Sequence, residues 1–373
     1  MRENLYLQDI LIGNKMVLPT YKSLEEKKEY FDYKEPEQVN TIDEFKERFE
    51  QLEAGIPQFN PYYSREFSHL CNTATVFRGQ NEAKYKLYTS AQREWIIEEW
   101  NKQLGEDGFI EFVQQLILQL KKANANSRLS KYFESMGATE TDLLLLSFLQ
   151  HYRTPTPLLD FTYNKYLALF FAMDGSEFNK QGEDDLDNYF SIYALPVRSI
   201  YSIDLNNKAV IKALQKGGVI ERIKKDLTPK EQIKVYIKHL FSWKISEEKD
   251  HFRGMSEYPF LFIPNPQRAE KIDDIIGVDL HWSNPNIIAQ EGCFVMNPRK
   301  DTPLEDLIEK SIHCLNIHKS LAPYIREHYL KPKGITKETI YPDFNAIANE
   351  AYEAFQRDPT AQISLADLPD SKD

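Results

Sequence analysis

Three short stretches carry the side chains best suited to chemistry. The first is VFRGQ, where Arg78, Gly79 and Gln80 follow a β-branched and aromatic run, residues 74–77, that reads as a short strand. An arginine at a strand end offers forked donors to a phosphate or carboxylate. The glycine beside it permits a turn or a close backbone approach. A structural salt bridge is the alternative use of Arg78. The second stretch is residues 143–173, LLLLSFLQHYRTPTPLLDFTYNKYLALFFAM. It crowds Gln150, His151, Thr156, Asp160 and Thr162 between two very apolar segments, so these groups must be hydrogen-bonded internally or line a site. His151 with Asp160 offers acid–base chemistry. The alternative is a buried histidine that ties a helix end to the turn after it. The third stretch, IIAQEGCFVM, brings Gln290 and Glu291 before Gly292, whose place in a strand suggests a bulge that re-aims its neighbours.

The elements that hold these groups follow from period and punctuation. Thr139 and Asp142 propose a cap for a helix over 143–149, and Pro155 and Pro157 forbid helix after it. Asp160 or Thr162 caps the next helix, with Leu167, Phe170 and Phe171 on its apolar face. The central stretch therefore reads as helix, extended turn, helix. Thr41 and Glu44 form a capping box for a helix with Phe45, Phe49 and Leu52 as its stripe. Apolar residues recur at helical spacing from Phe109 to Leu120, and a further helix begins over 95–100. Strands are expected over 189–195, 259–264 and 287–296. Helices are expected over 24–33, the Lys-rich 207–250, 306–317 (Ile308, Ile312 and Leu315 buried) and 344–355, with Thr336 capping a short one. Residues 176–188 are acidic and loop-like. Helices with scattered short strands and no regular βαβ alternation predict an α+β fold, a short-stranded mixed or antiparallel sheet surrounded by helices. The expected organisation is an N-terminal extension over 1–40, one globular unit over 41–356 and a frayed tail over 357–373.

The 373 residues are 42 % hydrophobic and 13 % aromatic, which argues for a packed globular chain. A net charge of −11 argues against a nucleic-acid backbone or an anionic membrane as partner. Cys71, Cys293 and Cys314 show no zinc spacing and fit a reducing cytoplasm. No metal is expected. No run reaches the roughly 18 apolar residues of a membrane span, and the first residues lack the apolar core of a signal peptide.

The same motifs resemble the FRG-domain family, named for an aromatic-Arg-Gly tripeptide. Phe77-Arg78-Gly79 stands in the N-terminal place, and Arg93 continues the pattern after RGQ. QHY, PT, LLD, FT and ALFFA are similar to the central motif, IIAQEGCF to a late Gln-x-Gly-x-Phe motif, and GITKETIYPDFNAIA to the closing signature. Arg153, Pro157 and Asn286 stand where the family usually has Gly and two arginines, so the roles of those arginines are not carried over. The order of motifs is also similar to the three-part NAD site of ADP-ribosyltransferases. That resemblance implies NAD as substrate, fixed by Arg78, Gly79, Gln80 and Arg93 and shaped by Thr156, Asp160 and Thr162. Glu291, with Gln290 and His151, stands in the catalytic place, where a carboxylate stabilises the cationic sugar as nicotinamide leaves. The implied activity is ADP-ribosyl transfer or NAD hydrolysis, with a nucleotide and a protein target as partners, in bacterial defence or stress response. The alternative is a module that binds nucleotide or protein in the same cleft without chemistry.

Overall fold

A computed structural model describes residues 17–31, 38–52, 75–123, 128–135, 142–175, 185–196, 260–264, 277–278, 286–308 and 312–341, with isolated residues between 349 and 357. The expected helix over 207–250 lies outside the described residues, as do most of the acidic loop and most of the helix over 344–355.

Among the described residues eight strands form one mixed sheet: β1 (Gln38–Val39), β2 (Thr75–Gln80), β3 (Leu158–Thr162), β4 (Tyr189–Pro196), β5 (Phe260–Pro264), β6 (Gly277–Val278), β7 (Gly292–Met296) and β8 (His313–His318). Their spatial order is β1-β8-β4-β2-β3-β7-β5-β6. Among the described residues the two edge pairs, β1 with β8 and β5 with β6, run parallel and the other pairs antiparallel. The architecture is α+β.

Side chains alternate across the strands, so the sheet has a core on each side. On one side Val76, Leu159, Phe161, Tyr193, Leu195, Cys293, Val295 and Cys314 pack beneath Tyr21, Leu24 and Phe31 of the N-terminal segment. On the other side the apolar residues divide. Phe77, Phe190, Ile192, Leu315 and Ile317 meet Phe45, Phe49, Ala168 and Ala172 of the helices Ile42–Gln51 and Lys165–Met173. Leu158, Phe294 and Met296 meet Trp95, Phe112, Ile117 and Leu145 of the helices Ser90–Ile97, Phe109–Ala123 and Asp142–His151.

The Thr41–Glu44 capping box forms as its residue types require, each side chain bonding the other's backbone N–H. Thr336 likewise caps the helix Lys337–Ile340. Three expectations are corrected. Residues 306–317 are not one helix: a helix covers Leu304–Leu307, and His313–His318 is strand β8. Cys314, Leu315, Asn316 and Ile317 are all buried, because β8 lies between two cores. Ile308, Ile312 and Leu315 are spaced as on one helical face although Leu315 belongs to the strand. Residues 158–162 are an internal strand, β3, rather than a turn and a cap; the helix after them is capped by Asn164, whose side chain accepts from the Tyr166 N–H. Residues 287–296 divide into a helical turn, Asn286–Ala289, and β7. The reversal between them falls at Glu291, whose φ is 44°.

Candidate functional site

β2 and β3 neighbour each other but share a single register pair, Phe77 with Thr162. Antiparallel register carried onward would set Gly79 opposite Asp160. Instead, the Arg78 Nη1 donates to the Asp160 carbonyl at 2.7 Å, and the guanidinium takes the place of a ladder rung. β2 remains fully paired with β4 on its other side, from Thr75 with Pro196 to Gln80 with Ser191. The sheet therefore opens on one flank of β2 only. At that opening the Arg78 Nε and the Gln80 Oε1 are buried without hydrogen-bond partners.

Each member of the tripeptide has a physical reason. Phe77 is 1 % exposed and belongs to the core under the helix Lys165–Met173. Arg78 satisfies the carbonyl left over where the ladder opens. Gly79 lets that helix lie directly on β2: a Cβ there would stand 1.9 Å from the Ala168 carbonyl oxygen and 2.4 Å from the Ala172 nitrogen.

The polar groups of the central stretch are joined. The Gln150 Nε2 donates to the Asp160 carboxylate at 2.8 Å, and the Thr156 hydroxyl donates to the Gln150 Oε1. Thr156 is fully buried, and its backbone exchanges hydrogen bonds with the Ser90 hydroxyl and accepts from the Ala91 N–H at 2.9 Å. The start of one helix is thus fastened to the end of the turn. Asp160, exposed on the sheet face opposite Leu159 and Phe161, is held by an amide rather than by a base. His151 is half-buried, meets Tyr152 edge to face at 4.7 Å, and its pKa is lowered by burial. Arg93 is exposed on the helix Ser90–Ile97.

A second group forms where β3 ends. Thr162 Oγ1 donates to the Gln290 carbonyl at 2.8 Å and accepts from the Asn164 N–H at 3.1 Å. The Tyr163 N–H donates to the Glu291 carbonyl at 3.0 Å, and Asn164 Nδ2 donates to the Glu291 Oε1 at 2.9 Å. Glu291 therefore lies at the positive end of the helix Lys165–Met173, where a carboxylate is favoured. Gln290 donates to the Ile340 carbonyl at 3.3 Å. Arg78 and the 156–162 segment meet directly at Asp160, whereas Glu291 meets the chain just after β3, at Tyr163 and Asn164.

The wall over Arg78 and Gln80 escaped the sequence reading. On their face the register sets Arg78 beside Tyr193 and Cys314, and Gln80 beside Ser191 and Asn316. Lys27, completely buried, donates at 2.8 Å to each of the Ala83 carbonyl, the Ser191 Oγ and the Asn316 Oδ1. Burial lowers its pKa. Phe31 packs on Tyr193 at 5.8 Å, and the Tyr21 hydroxyl donates to the buried Glu305 at 2.5 Å. Burial raises the pKa of that carboxyl. Nothing in LEEKKEYF distinguishes Lys27 from its solvated neighbours. Asn164 did leave a signal, a capping residue directly before an apolar run.

Residues 73–181 match the family model of the FRG domain. The chain carries an FRG domain. The matched residues run from β2 through the helix Lys165–Met173 and hold Arg78, Gly79, Gln80, Gln150, Thr156 and Asp160. Gln290 and Glu291 lie beyond them and reach the domain through Thr162, Tyr163 and Asn164. No curated protein and no solved structure matches the chain. Among the described residues no helix is long and apolar enough to cross a membrane, and no three His, Cys, Asp or Glu side chains are grouped to hold a metal ion.

Proposed function

We propose that this FRG-domain protein binds NAD at the opening between β2 and β3 and breaks its ribosyl–nicotinamide bond, by ADP-ribosyl transfer or hydrolysis. The observation that carries the reading is the open rung: a guanidinium whose Nε is buried without an acceptor stands at a gap in an otherwise paired sheet. A buried donor left unpaired costs about 1–3 kcal/mol, which a bound phosphate oxygen would return. Breaking the glycosidic bond develops positive charge on the ribose, and Glu291, held by Asn164 at a helix start just beyond the Phe77–Thr162 pair, is the carboxylate proposed to stabilise it. Gln150 and Thr156 hold the intervening strand in place.

The test is incubation of the purified chain with NAD, alone and with cell extract, following free nicotinamide and transferred label. Glu291→Gln keeps an oxygen to accept from Asn164, so it should retain the fold and lose turnover. Arg78→Lys should weaken NAD binding. Absence of turnover under all conditions, or full turnover by Glu291→Gln, overturns the catalytic assignment.

One observation favours a second reading, that of a non-catalytic nucleotide-binding module: an oxygen of Glu291 already serves the helix cap. That reading expects stabilisation by NAD, about 2.7 kcal/mol at 100 times the dissociation constant, with no nicotinamide released.

A further inference from the structure

At the opening the two unpartnered buried atoms differ in kind. Arg78 Nε is a donor, and Gln80 Oε1 is an acceptor. They belong to residues two apart on one strand face, whose Cα atoms are spaced about 7 Å along β2. A phosphate offers acceptor oxygens alone. It satisfies Arg78 and is repelled by a carbonyl oxygen. A group that meets Gln80 must bring its own hydrogen. The strands beside it carry a fixed polar row: its cross-strand partner Ser191 donates to Asn316, and both accept from the buried Lys27 ammonium. That row draws on no atom of Gln80, whose Oε1 is left for something else.

We infer that Gln80 is a specificity residue that accepts a hydrogen bond from a ribose hydroxyl of the nucleotide whose phosphate Arg78 holds. The inference rests on the nucleotide reading above and adds which chemical group is read, and by which atom. The ligand class is a ribonucleoside di- or polyphosphate, with inorganic pyrophosphate a weaker ligand that engages Arg78 alone and deoxynucleotides discriminated against.

The experiment measures binding of ADP, 2′,3′-dideoxy-ADP and inorganic pyrophosphate to the full chain by calorimetry, for wild type, Gln80→Leu and Gln80→Glu. Wild type should bind ADP about ten-fold more tightly than the dideoxy compound, the equivalent of one hydrogen bond. Gln80→Leu should bring that ratio to about one and leave pyrophosphate affinity unchanged; Gln80→Glu, which keeps an acceptor, should preserve the ratio. A ratio near one in wild type, or a ratio that survives Gln80→Leu, overturns the inference while the nucleotide reading stands. If neither ADP nor pyrophosphate binds, the nucleotide reading falls and the inference with it. A wild-type ratio near one overturns the inference even if the leucine variant fails to fold.

Discussion

Replacing Gly79 by alanine tests the steric account of the tripeptide. The added methyl would meet backbone atoms only, the Ala168 oxygen at 1.9 Å and the Ala172 nitrogen at 2.4 Å, so no side chain can rotate away. Ordinary contact needs about 3.5 Å, so the helix must lift by more than about 1 Å. Its buried residues Ala168, Leu169, Ala172 and Met173 would separate from Phe77, Phe190 and Ile192 as it moved. Overpacking a tight core costs about 1–3 kcal/mol, and loss of contact along a whole helix face adds to it. The expected loss is therefore about 3–5 kcal/mol, a large part of the stability of a marginal domain. Urea unfolding followed by circular dichroism measures it, with an unchanged m-value indicating a pure stability effect. A Gly79→Ala protein within about 0.5 kcal/mol of wild type would refute the argument, because no surface-like tolerance is compatible with that contact.

Other outcomes follow from the same geometry. Lys27→Met should cost about 3 kcal/mol, since it leaves the Ala83 carbonyl and the Ser191–Asn316 pair without their charged donor; denaturant midpoints would measure it. Asn164→Ala should cost about 1–2 kcal/mol by removing a helix cap, and should also lower any nicotinamide release by freeing Glu291. For His151, burial lowers the folded pKa below the ordinary value, so the unfolded chain binds its proton first. This histidine should therefore contribute stability above pH about 6.5 that is lost as pH falls toward the folded pKa. Its ring resonances should titrate with a midpoint below that of a free histidine, and His151→Gln should flatten the dependence in that window.

What could be read from sequence was local. Thr41 and Glu44 find each other because a capping box needs only three residues' separation, and Phe109 to Leu120 bury one helical face because their spacing leaves no other choice. The FRG tripeptide and the crowded polar stretch around Gln150 to Thr162 were visible as residues at odds with their surroundings. The α+β class followed from the absence of regular alternation. What sequence concealed depended on partners far along the chain. β8 passed for helix because Ile308, Ile312 and Leu315 fall at helical spacing, while both faces of the strand are buried between two cores. β3 passed for a turn because its prolines lie just before it, while its pairing lies with β7, more than a hundred residues away. Lys27 is an ordinary lysine in a charged run until Ala83, Ser191 and Asn316 converge on it from three separate segments. The opening beside Arg78 is the same kind of fact. Periodicity records which side a residue faces, but only the packing of a helix onto Gly79 and the divergence of two strands decide that a ladder stops there.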